Sequence, residues 1–481
     1  MTVLRLYIII SALFLWSAAT PVPTFGKKNI IFMVPDGFGP SGLTMARDYR
    51  RTQLGLANDQ KYTLNLDPFI IGSIRTKSNS SLITDSAAAA TTYATGFKTY
   101  NGGISVDSSG TAKTTLMESL KSQGYKTGLV VKSTLTDATP GVWAAHVSKR
   151  DKQSQIAEQM LEGGIVDYMS GGGKCYWIPK SETGSCREDD RNLITEAKDR
   201  GFTYFESRSE FDGHLAEGLS LPALSFWAQE DVDYAIDYNN SITPTLPEQA
   251  LLALKTLEKA TEYSTKGFFV LIEGSLIDHC GHDNDAACHT REVLEFDETF
   301  KVVKDFIDGT DTETIVVVTA DHETGGLTLG LDDSSTYYPE VLFNKTHSSL
   351  FFESKVIEFN ETNPQAAELT TFVQNWVATE LAVTDASDEE IQTVVDAVTS
   401  DGDIRAAIGP ITSNRASIGW STGSHTASDI FSFFYTNSQQ IQQNVFNNEP
   451  GWELRGSHEN VEINRFLRTV GDVAQESSTS A

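Results

Sequence analysis

Residues 29–37 read NIIFMVPDG, an apolar run that ends in a proline, an aspartate and a glycine. The run Asn29–Val34 predicts a buried strand, and three further runs share its apolar, β-branched character: Gly128–Val131, Phe268–Ile272 and Ile315–Thr319. Helical patterns occur between them, at Thr114–Gly124, Ser154–Gly163, Pro247–Tyr263 and Thr290–Ile307. Apolar strands that alternate with helices predict a parallel sheet with helices on both faces. We therefore expect a three-layer α/β/α fold with a large, mostly parallel central sheet.

Acidic, histidine or threonine side chains follow each predicted strand. They are Asp36 after the first strand, Asp137 and Thr139 after the second, Glu273, Asp278 and His282 after the third, and Asp321 and His322 after the fourth. Ligands of open parallel sheets bind just beyond the carboxyl ends of the strands. Each residue alone is more simply a helix cap or a loop hydrogen-bonding group. Four strands that deliver such residues to one edge together predict a metal site there.

The residue types indicate which metals this edge would bind. An aspartate with a nearby histidine occurs twice in the set and offers the oxygen and nitrogen ligands that suit Zn²⁺. The residues that offer only oxygen, Asp137, Thr139 and Glu273, suit Mg²⁺ with its retained waters. The sequence therefore predicts both kinds of ion.

The stretch Ile83–Thr91 (ITDSAAAAT) places Ser86 in front of a run of small residues. Alanine favours helices, so Ser86 lies at the N-cap or in the first turn of a predicted helix. Unpaired N–H groups and the positive end of the helix dipole would then face its hydroxyl, with room for a bulky anion. The segment alone supports two hypotheses: an ordinary helix cap, or a serine nucleophile presented to a phosphate.

Charge narrows the range of partners. The chain has 481 residues, with 37 Lys and Arg against 65 Asp and Glu, and a net charge of −28. Such a field repels nucleic acids and anionic membranes, so we expect neither as a partner. It also repels a phosphate substrate, and bound metal ions are the obvious source of the local positive charge that a phosphate site needs.

The beginning of the chain predicts export. Residues 1–19 have the pattern of a signal peptide, with Arg5 in front of the apolar run Leu6–Ala19, and an uncleaved anchor is the alternative. No other stretch is long and apolar enough to span a bilayer, so we expect no transmembrane span in the mature chain. Glycosylation sequons occur at Asn79, Asn239, Asn344 and Asn360. We expect a secreted glycoprotein or, alternatively, one in the lumen of a vacuole or another secretory compartment.

Four cysteines fit an oxidising compartment. Cys175 is close to Cys186, and Cys280 is close to Cys288, so two local disulfides are the natural choice among the three possible connectivities. Cys280 also lies between an aspartate and a histidine of the predicted metal site. A thiolate metal ligand is therefore the alternative role for this residue.

A change of pattern occurs from about residue 344 to residue 411. The alternation of strands and helices is lost there, and an acidic cluster occupies Asp385–Glu390. We interpret this stretch as an insertion that forms a crown-like surface subdomain. The surrounding domain is expected to extend from residue 27 to residue 475.

Taken in order, these motifs resemble the alkaline phosphatases. The shared stretches are Asp36-Gly37, Asp85–Thr91, Asp137-Ala138-Thr139-Pro140, Glu273–His282 and Asp321-His322. The similarity extends from about Lys27 to beyond His425. Two stretches, Tyr100-Asn101-Gly102-Gly103 and residues 321–326, are most similar to the fungal vacuolar branch of that family.

The resemblance implies an enzyme that hydrolyses many phosphate monoesters at alkaline pH through a phosphoserine intermediate at Ser86. It implies two Zn²⁺ and one Mg²⁺ per subunit, in a homodimer to which the insertion is a candidate contributor. The implied ligands are Asp278, His282 and His425 for one zinc, Asp36, Asp321 and His322 for the other, and Asp36, Asp137, Thr139 and Glu273 for magnesium, with the Ser86 alkoxide also bound to metal. Arg150 would bind the phosphate, positioned in part by Asp85. His425 is assigned by the resemblance alone.

His279 and Asp137 combine two patterns of the family. At the position of His279 a bacterial branch has lysine and animal enzymes have histidine, whereas at the position of Asp137 animal enzymes generally have histidine. The combination leaves open the metal preference of the third site and the height of the pH optimum. His279 is either a group that orients a metal-bound water or ligand, or a plain loop residue.

Metal activation suits the predicted chemistry, because no histidine base adjoins Ser86 in the sequence and a metal can stabilise the serine alkoxide instead. A phosphodiesterase or sulfatase of the same fold is the alternative enzyme. Those relatives generally use another nucleophile motif, and diesterases lack the third ligand set. A catalytically silent metalloprotein that binds phosphate is the remaining alternative. It would be expected to lose the nucleophile, the arginine or a ligand, and none is lost.

Overall fold

The computed structural model of the protein describes residues 26–331, 335–400 and 402–475. The predicted signal peptide, residues 1–19, lies outside the described residues. Within them, no helix combines the length and the apolar character that a membrane crossing needs.

The described strands and helices alternate along most of the chain. The strands are β1 (Lys28–Val34), β2 (Ile70–Arg75), β3 (Lys126–Thr134), β4 (Tyr168–Gly172), β5 (Thr203–Phe205), β6 (Ala223–Phe226), β7 (Phe268–Glu273), β8 (Glu313–Thr319), β9 (Glu323–Thr324), β10 (Leu327–Leu329), β11 (Ile418–Trp420), β12 (His425–Thr426), β13 (Ile430–Thr436) and β14 (Gly456–Glu459). The helices are α1 (Pro40–Gln53), α2 (Ser86–Thr95), α3 (Leu116–Ser122), α4 (Ala138–Gly141), α5 (Gln153–Glu162), α6 (Leu193–Asp199), α7 (Arg208–Leu215), α8 (Leu246–Thr261), α9 (Leu276–His282), α10 (Ala286–Gly309), α11 (Ser349–Asn360), α12 (Ala366–Thr379), α13 (Asp388–Thr399), α14 (Ile404–Arg415), α15 (Gln439–Phe446) and α16 (Asn460–Val470).

Ten strands form one sheet in the order β14-β2-β13-β8-β1-β7-β3-β4-β6-β5. Among the described strands of this sheet, β13 alone is antiparallel to its neighbours, so the sheet is mostly parallel as predicted. The four strands predicted from the apolar runs, β8, β1, β7 and β3, are consecutive in the middle of it. Their side chains are almost all buried, which explains why they are apolar without alternation.

Helices cover both faces of the sheet and complete the predicted α/β/α architecture. One group consists of α1, α8 and α10, and another of α2, α3 and α16. Phe32 of β1 packs edge-on against Tyr93 of α2 at 5.4 Å between ring centroids. The side chain of Leu257, from α8, lies against the backbone of Gly128 in β3. These contacts belong to one large hydrophobic core that the sheet and both groups of helices share.

Strands at the margins of the sheet are absent from the prediction. The strand β4 (YMSGG) contains two glycines and a serine, which lower its strand propensity, and β5 and β6 have three and four residues. The strand β13 is apolar, but the segment before it has no helical pattern. The alternation of strands and helices that predicts the other strands of the sheet is therefore missing at β13. These strands form because neighbouring strands provide backbone hydrogen-bonding partners. Such partners are tertiary contacts that the local sequence does not reveal.

The stretch predicted as an insertion contains α11, α12, α13 and most of α14, which extends to Arg415. Their buried faces form a hydrophobic cluster of their own: Phe352, Val356, Leu369, Val373, Val377, Leu381, Val383, Ile391, Val394, Val395, Val398, Ile404, Ile408 and Ile411. No helix is predicted here from the sequence, although Ser387 is the N-cap of α13 and forms a capping box with Glu390. This capping box lies within the acidic cluster, so the cluster belongs to the beginning of α13.

Two ion pairs connect this helical segment to the loop between α9 and α10. Lys345 contacts Asp285 at 2.6 Å, with both side chains buried, and Arg405 contacts Asp283 at 3.4 Å. Burial would raise the pKa of Asp285, but the Lys345 ammonium outweighs it and keeps the pKa below its usual value. The carboxylate is thus ionised and depends on its lysine partner.

Both predicted disulfides are present. Cys175 is bonded to Cys186, and Cys280 to Cys288. Because its sulfur is in a disulfide, Cys280 does not offer a thiolate to a metal, and that alternative is wrong. The second bridge joins α9 to the first turn of α10.

Replacing Lys345 with methionine should destabilise the protein, because the variant leaves the Asp285 carboxylate buried without its counter-charge. We expect a loss of about 3–5 kcal/mol in the free energy of unfolding. Urea titration at fixed metal concentration measures it. The matched control is Lys355→Met, an exposed lysine whose pair with Glu358 is on the surface, and it should change stability by less than about 0.5 kcal/mol. Equal midpoints for the two variants would mean that the buried pair does not anchor the segment.

Candidate active site

The carboxyl ends of the four central strands meet at one place, as predicted. Asp36 lies two residues beyond β1, Glu273 ends β7, and Asp321 lies two residues beyond β8. Gly37 permits this convergence, since a Cβ there would lie 2.6 Å from the Cα of Asp278. Its φ of 73° also favours glycine. The Gly37 N–H donates to Asp321 Oδ1 at 3.1 Å and joins two of the strand ends.

Ser86 is the first residue of α2, and the helix is buried along its entire length. The N-cap is Asp85, whose carboxylate accepts a hydrogen bond from the Ala88 N–H at 2.9 Å. Ser86 is therefore in the first turn and is not the cap itself. Its Oγ lies 3.2 Å from Nε2 of His322, so the serine is in direct contact with a predicted metal ligand.

The ligands predicted for the first zinc lie together. Nε2 of His282 is 3.2 Å from Asp278 Oδ2, and Nε2 of His425 is 3.2 Å from Nε2 of His282. The two Nδ1 atoms donate to main-chain carbonyls, that of His282 to Gly423 at 2.8 Å and that of His425 to Thr84 at 2.9 Å. A carbonyl can only accept, so the neutral form of each ring carries its lone pair on Nε2, toward the shared space.

The ligands predicted for the second zinc are fully enclosed. Nε2 of His322 lies 3.0 Å from Asp321 Oδ2 and 3.8 Å from Asp36 Oδ1. Those two carboxylate oxygens receive no hydrogen bond of good geometry from the described residues. His322 also stacks on His425 with 3.5 Å between ring centroids, so the two predicted groups of zinc ligands are in direct contact. Buried oxygens without donors fit a cation at this position.

The four oxygen ligands predicted for magnesium are only partly in contact. The Thr139 hydroxyl lies 3.5 Å from Asp36 Oδ2, and Oε1 of Glu273 has no hydrogen-bond donor among the described residues. Asp137 instead accepts from Nη2 of Arg150 at 3.0 Å. The charge of Asp137 nevertheless contributes to raising the pKa of Glu273.

Arg150 stands between two acidic residues at the mouth of the site. Its Nη1 is 3.6 Å from Asp85, and its Nη2 is 3.0 Å from Asp137. The resemblance named Asp85 as the positioning group, and the structure adds Asp137 as the nearer partner. The guanidinium is half-buried, with 34% of its side chain exposed, so it can reach a ligand that enters from solvent.

Crowded negative charge dominates the electrostatics of the site. Burial and the neighbouring carboxylates raise the pKa of Asp36 well above its usual value, and burial chiefly does the same for Glu273. Burial would also raise the pKa of Asp278, but the histidines around it hold the pKa well below the usual range. Bound cations would relieve this repulsion, so the residues present fit metal ions.

Two contacts at the site are not predicted from the sequence. Nδ1 of His279 lies 3.4 Å from Asp231, which also accepts the Thr134 N–H at 2.9 Å and so connects His279 to the last residue of β3. Thr324 donates its hydroxyl proton to Asp278. Both partners are remote in sequence, and neither Asp231 nor Thr324 belongs to a local metal motif.

A parallel sheet with buried carboxylate–histidine clusters and a serine at a helix start defines a metal-dependent hydrolase. Residues 27–473 match the family model described as alkaline phosphatase. The repressible alkaline phosphatase of Saccharomyces cerevisiae is 39% identical over 92% of this chain and 81% of its own length, and the alkaline phosphatase of Schizosaccharomyces pombe is 36% identical over 93% and 82%. The cold-active alkaline phosphatase of a psychrophilic Shewanella superposes with a TM-score of 0.74 at 26% identity, over 92% of this chain and 99% of that one. The chain belongs to the alkaline phosphatase family.

Membership in this family confirms the predicted activity. The protein is a metal-dependent enzyme that hydrolyses phosphate monoesters through a phosphoserine intermediate. The sulfatase, phosphodiesterase and silent metalloprotein alternatives are set aside. The two yeast relatives also agree with the predicted similarity to the fungal branch.

Zinc binding at this site should release protons in a pH-dependent way. Burial lowers the pKa of His282, but the bond to Asp278 outweighs it and raises the pKa to about 9, so the metal-free ring is protonated at neutral pH. A metal must displace that proton. Proton release per zinc should therefore fall by about one between roughly pH 8 and pH 10. Calorimetric titration in buffers of different ionisation enthalpy measures it.

The control for this measurement is His282→Asn, which has no such proton to release. At neutral pH the variant should release about one proton fewer per bound zinc than the unaltered enzyme. A proton count that stays constant across this pH range, or that is the same in the variant, would contradict the assignment of His282 as a ligand.

Proposed function

We propose that Ser86 is the nucleophile of this phosphatase and that two Zn²⁺ and one Mg²⁺ occupy the three ligand groups. The observation that carries the proposal is the 3.2 Å contact between Ser86 Oγ and Nε2 of His322, within the Asp36–Asp321–His322 cluster. His322 is the residue that would bind metal next to the serine. The unpaired oxygens of Asp36, Asp321 and Glu273 support cations in these positions.

The chain positions Ser86 for attack on phosphorus. As the first residue of α2, Ser86 lies where unpaired N–H groups and the helix dipole favour an incoming anion. The following alanines are fully buried and small, so no side chain of the helix start competes with the phosphate for space. When bound, the metal ions stabilise the serine alkoxide and neutralise charge on the phosphoryl oxygens.

Arg150 supplies the fixed positive charge of the site. Its planar guanidinium matches two equatorial oxygens of a phosphoryl group in a way that an ammonium cannot. Asp85 and Asp137 hold it from two sides, which limits the entropy lost when the phosphate binds. Charge develops on those oxygens during transfer, so a preorganised donor pair favours the transition state.

The substrate range follows from where the assigned groups act. Ser86, Arg150 and the three ligand groups would all act on the phosphoryl group, and none of them is assigned to bind the leaving alcohol. We therefore propose a broad range of monoesters. An alkaline pH optimum is part of the same proposal, supported by membership in the family.

We further propose that the enzyme is secreted, with the lumen of a vacuole or another secretory compartment as the alternative. The two disulfides support an oxidising environment. Three of the four predicted glycosylation sites, Asn79, Asn239 and Asn344, are exposed and available for modification. A homodimer remains part of the proposal, with the segment 344–411 as a candidate for its interface.

Replacing Ser86 with alanine should lower kcat by about 10³-fold or more, because the variant cannot form the covalent intermediate. Rates with an aryl phosphate monoester, together with mass spectrometry of acid-quenched enzyme for phosphate on the Ser86 peptide, measure the effect. The control is Ser122→Ala, an exposed serine of α3 that should leave both readouts unchanged. Wild-type turnover in the Ser86 variant would remove Ser86 as the nucleophile.

Replacing Arg150 with lysine should lower kcat/KM by about 10²-fold despite the conserved charge, because one ammonium cannot donate to two oxygens in parallel. Steady-state kinetics with the same monoester measure the effect. The exposed neighbour Lys149 serves as control, and Lys149→Ala should stay near wild-type values. Unchanged kinetics of the Arg150 variant would exclude the arginine from phosphate binding.

A further inference from the structure

Thr324 is a buried residue that lies between the two zinc ligand groups. It belongs to the short strand β9, which pairs with β12 so that Thr324 is opposite His425. Its side-chain oxygen donates a hydrogen bond to Asp278 Oδ1 and lies 3.3 Å from Nδ1 of His322. One hydroxyl thus contacts a ligand from each group.

The direction of these two hydrogen bonds is fixed by chemistry. A hydroxyl has one proton, and a carboxylate can only accept, so the proton of Thr324 lies toward Asp278. The threonine oxygen must then accept from His322, which places the ring proton on Nδ1. The lone pair of the neutral ring is consequently on Nε2, the atom that faces Asp36, Asp321 and Ser86.

His322 differs in this respect from the other two histidines. The Nδ1 protons of His282 and His425 are held by main-chain carbonyls, which no substitution of a side chain removes. His322 depends on the side chain of Thr324. This dependence makes the contact testable by mutation.

The threonine has little freedom to turn away. Its N–H donates to the Gly37 carbonyl at 3.2 Å. A Cβ at Gly37 would lie 2.9 Å from Thr324 Oγ1, and one at Gly281 would lie 3.1 Å from its Cβ. The backbones of the two glycines therefore pack closely against the threonine side chain, and a larger residue at either position would displace it.

We propose that Thr324 is a positioning residue that couples the two zinc sites. Its hydroxyl orients Asp278 of the first group and sets the tautomer of His322 in the second. A metal that fixed Asp278 would thereby also fix the acceptor of the Nδ1 contact, so the first ion to bind would prepare the site of the second. The inference rests on the proposed zinc ligands.

The test compares Thr324→Val, which keeps the shape and removes the hydroxyl, with Thr324→Ser, which keeps the hydroxyl. Metal-free enzyme is titrated with Zn²⁺ against a competing chelator and with Co²⁺ followed by visible absorption. In the valine variant we expect both sites to weaken by about 10–100-fold and the two binding steps to become independent. The serine variant should retain most of the affinity and the coupling.

Thr328→Val is the control, because this threonine is exposed on the nearby β10 and makes no contact with the ligands. Thermal unfolding of the metal-free variants checks that each one folds. Wild-type metal affinity in Thr324→Val would overturn the inference, and so would an equal loss in the serine variant, which would indicate packing alone. Absence of tight zinc binding in the unaltered enzyme would instead overturn the proposed ligand assignment.

Discussion

Mutual repulsion among four buried carboxylates is the constraint on which the rest of the structure depends. Asp36, Glu273, Asp278 and Asp321 are each less than 10% exposed and lie at the same edge of the sheet. Charges in such a place are costly unless cations or donors compensate them, and the raised pKa of Asp36 expresses that cost. The fold enforces the crowding through consecutive strands. Metal binding and stability of this edge are therefore linked, because ions that bind the folded state alone also stabilise it.

The same constraint resolves the conflict between an acidic protein and an anionic substrate. A net charge of −28 repels phosphate at a distance, and once the histidine ligands have lost their extra protons the protein supplies little compensating charge of its own at the site beyond Arg150 and the start of α2. Excess negative charge at the proposed ligands favours divalent ions, and bound ions would reverse the sign of the local field. The carboxylates thus serve phosphate binding indirectly.

The sequence was most informative where structure is local. The central strands were predicted because burial on both faces makes them continuously apolar, and the site residues at their ends follow from sheet geometry. Helix α13 was missed although its capping box is visible, and β13 was missed because its partners are distant in the chain. His425 was assigned only through family resemblance, since its loop has no metal motif of its own. Thr324 and Asp231 could not be predicted, because their roles come from contacts across 46 and 48 residues to Asp278 and His279.

Helix α9, which carries two of the proposed metal ligands, is held on two sides by elements that are remote in sequence. Thr324 of β9 contacts Asp278 within the helix, while Lys345 and Arg405 of the helical segment bind the loop directly after it. The disulfide of Cys280 ties the same helix to α10. A helix of seven residues that carries two of the proposed metal ligands has little hydrogen bonding of its own to keep it in place, because short helices are marginal without tertiary contacts. The position of α9 therefore depends on these contacts, so the segment 344–411 supports the proposed metal site as well as forming part of the surface.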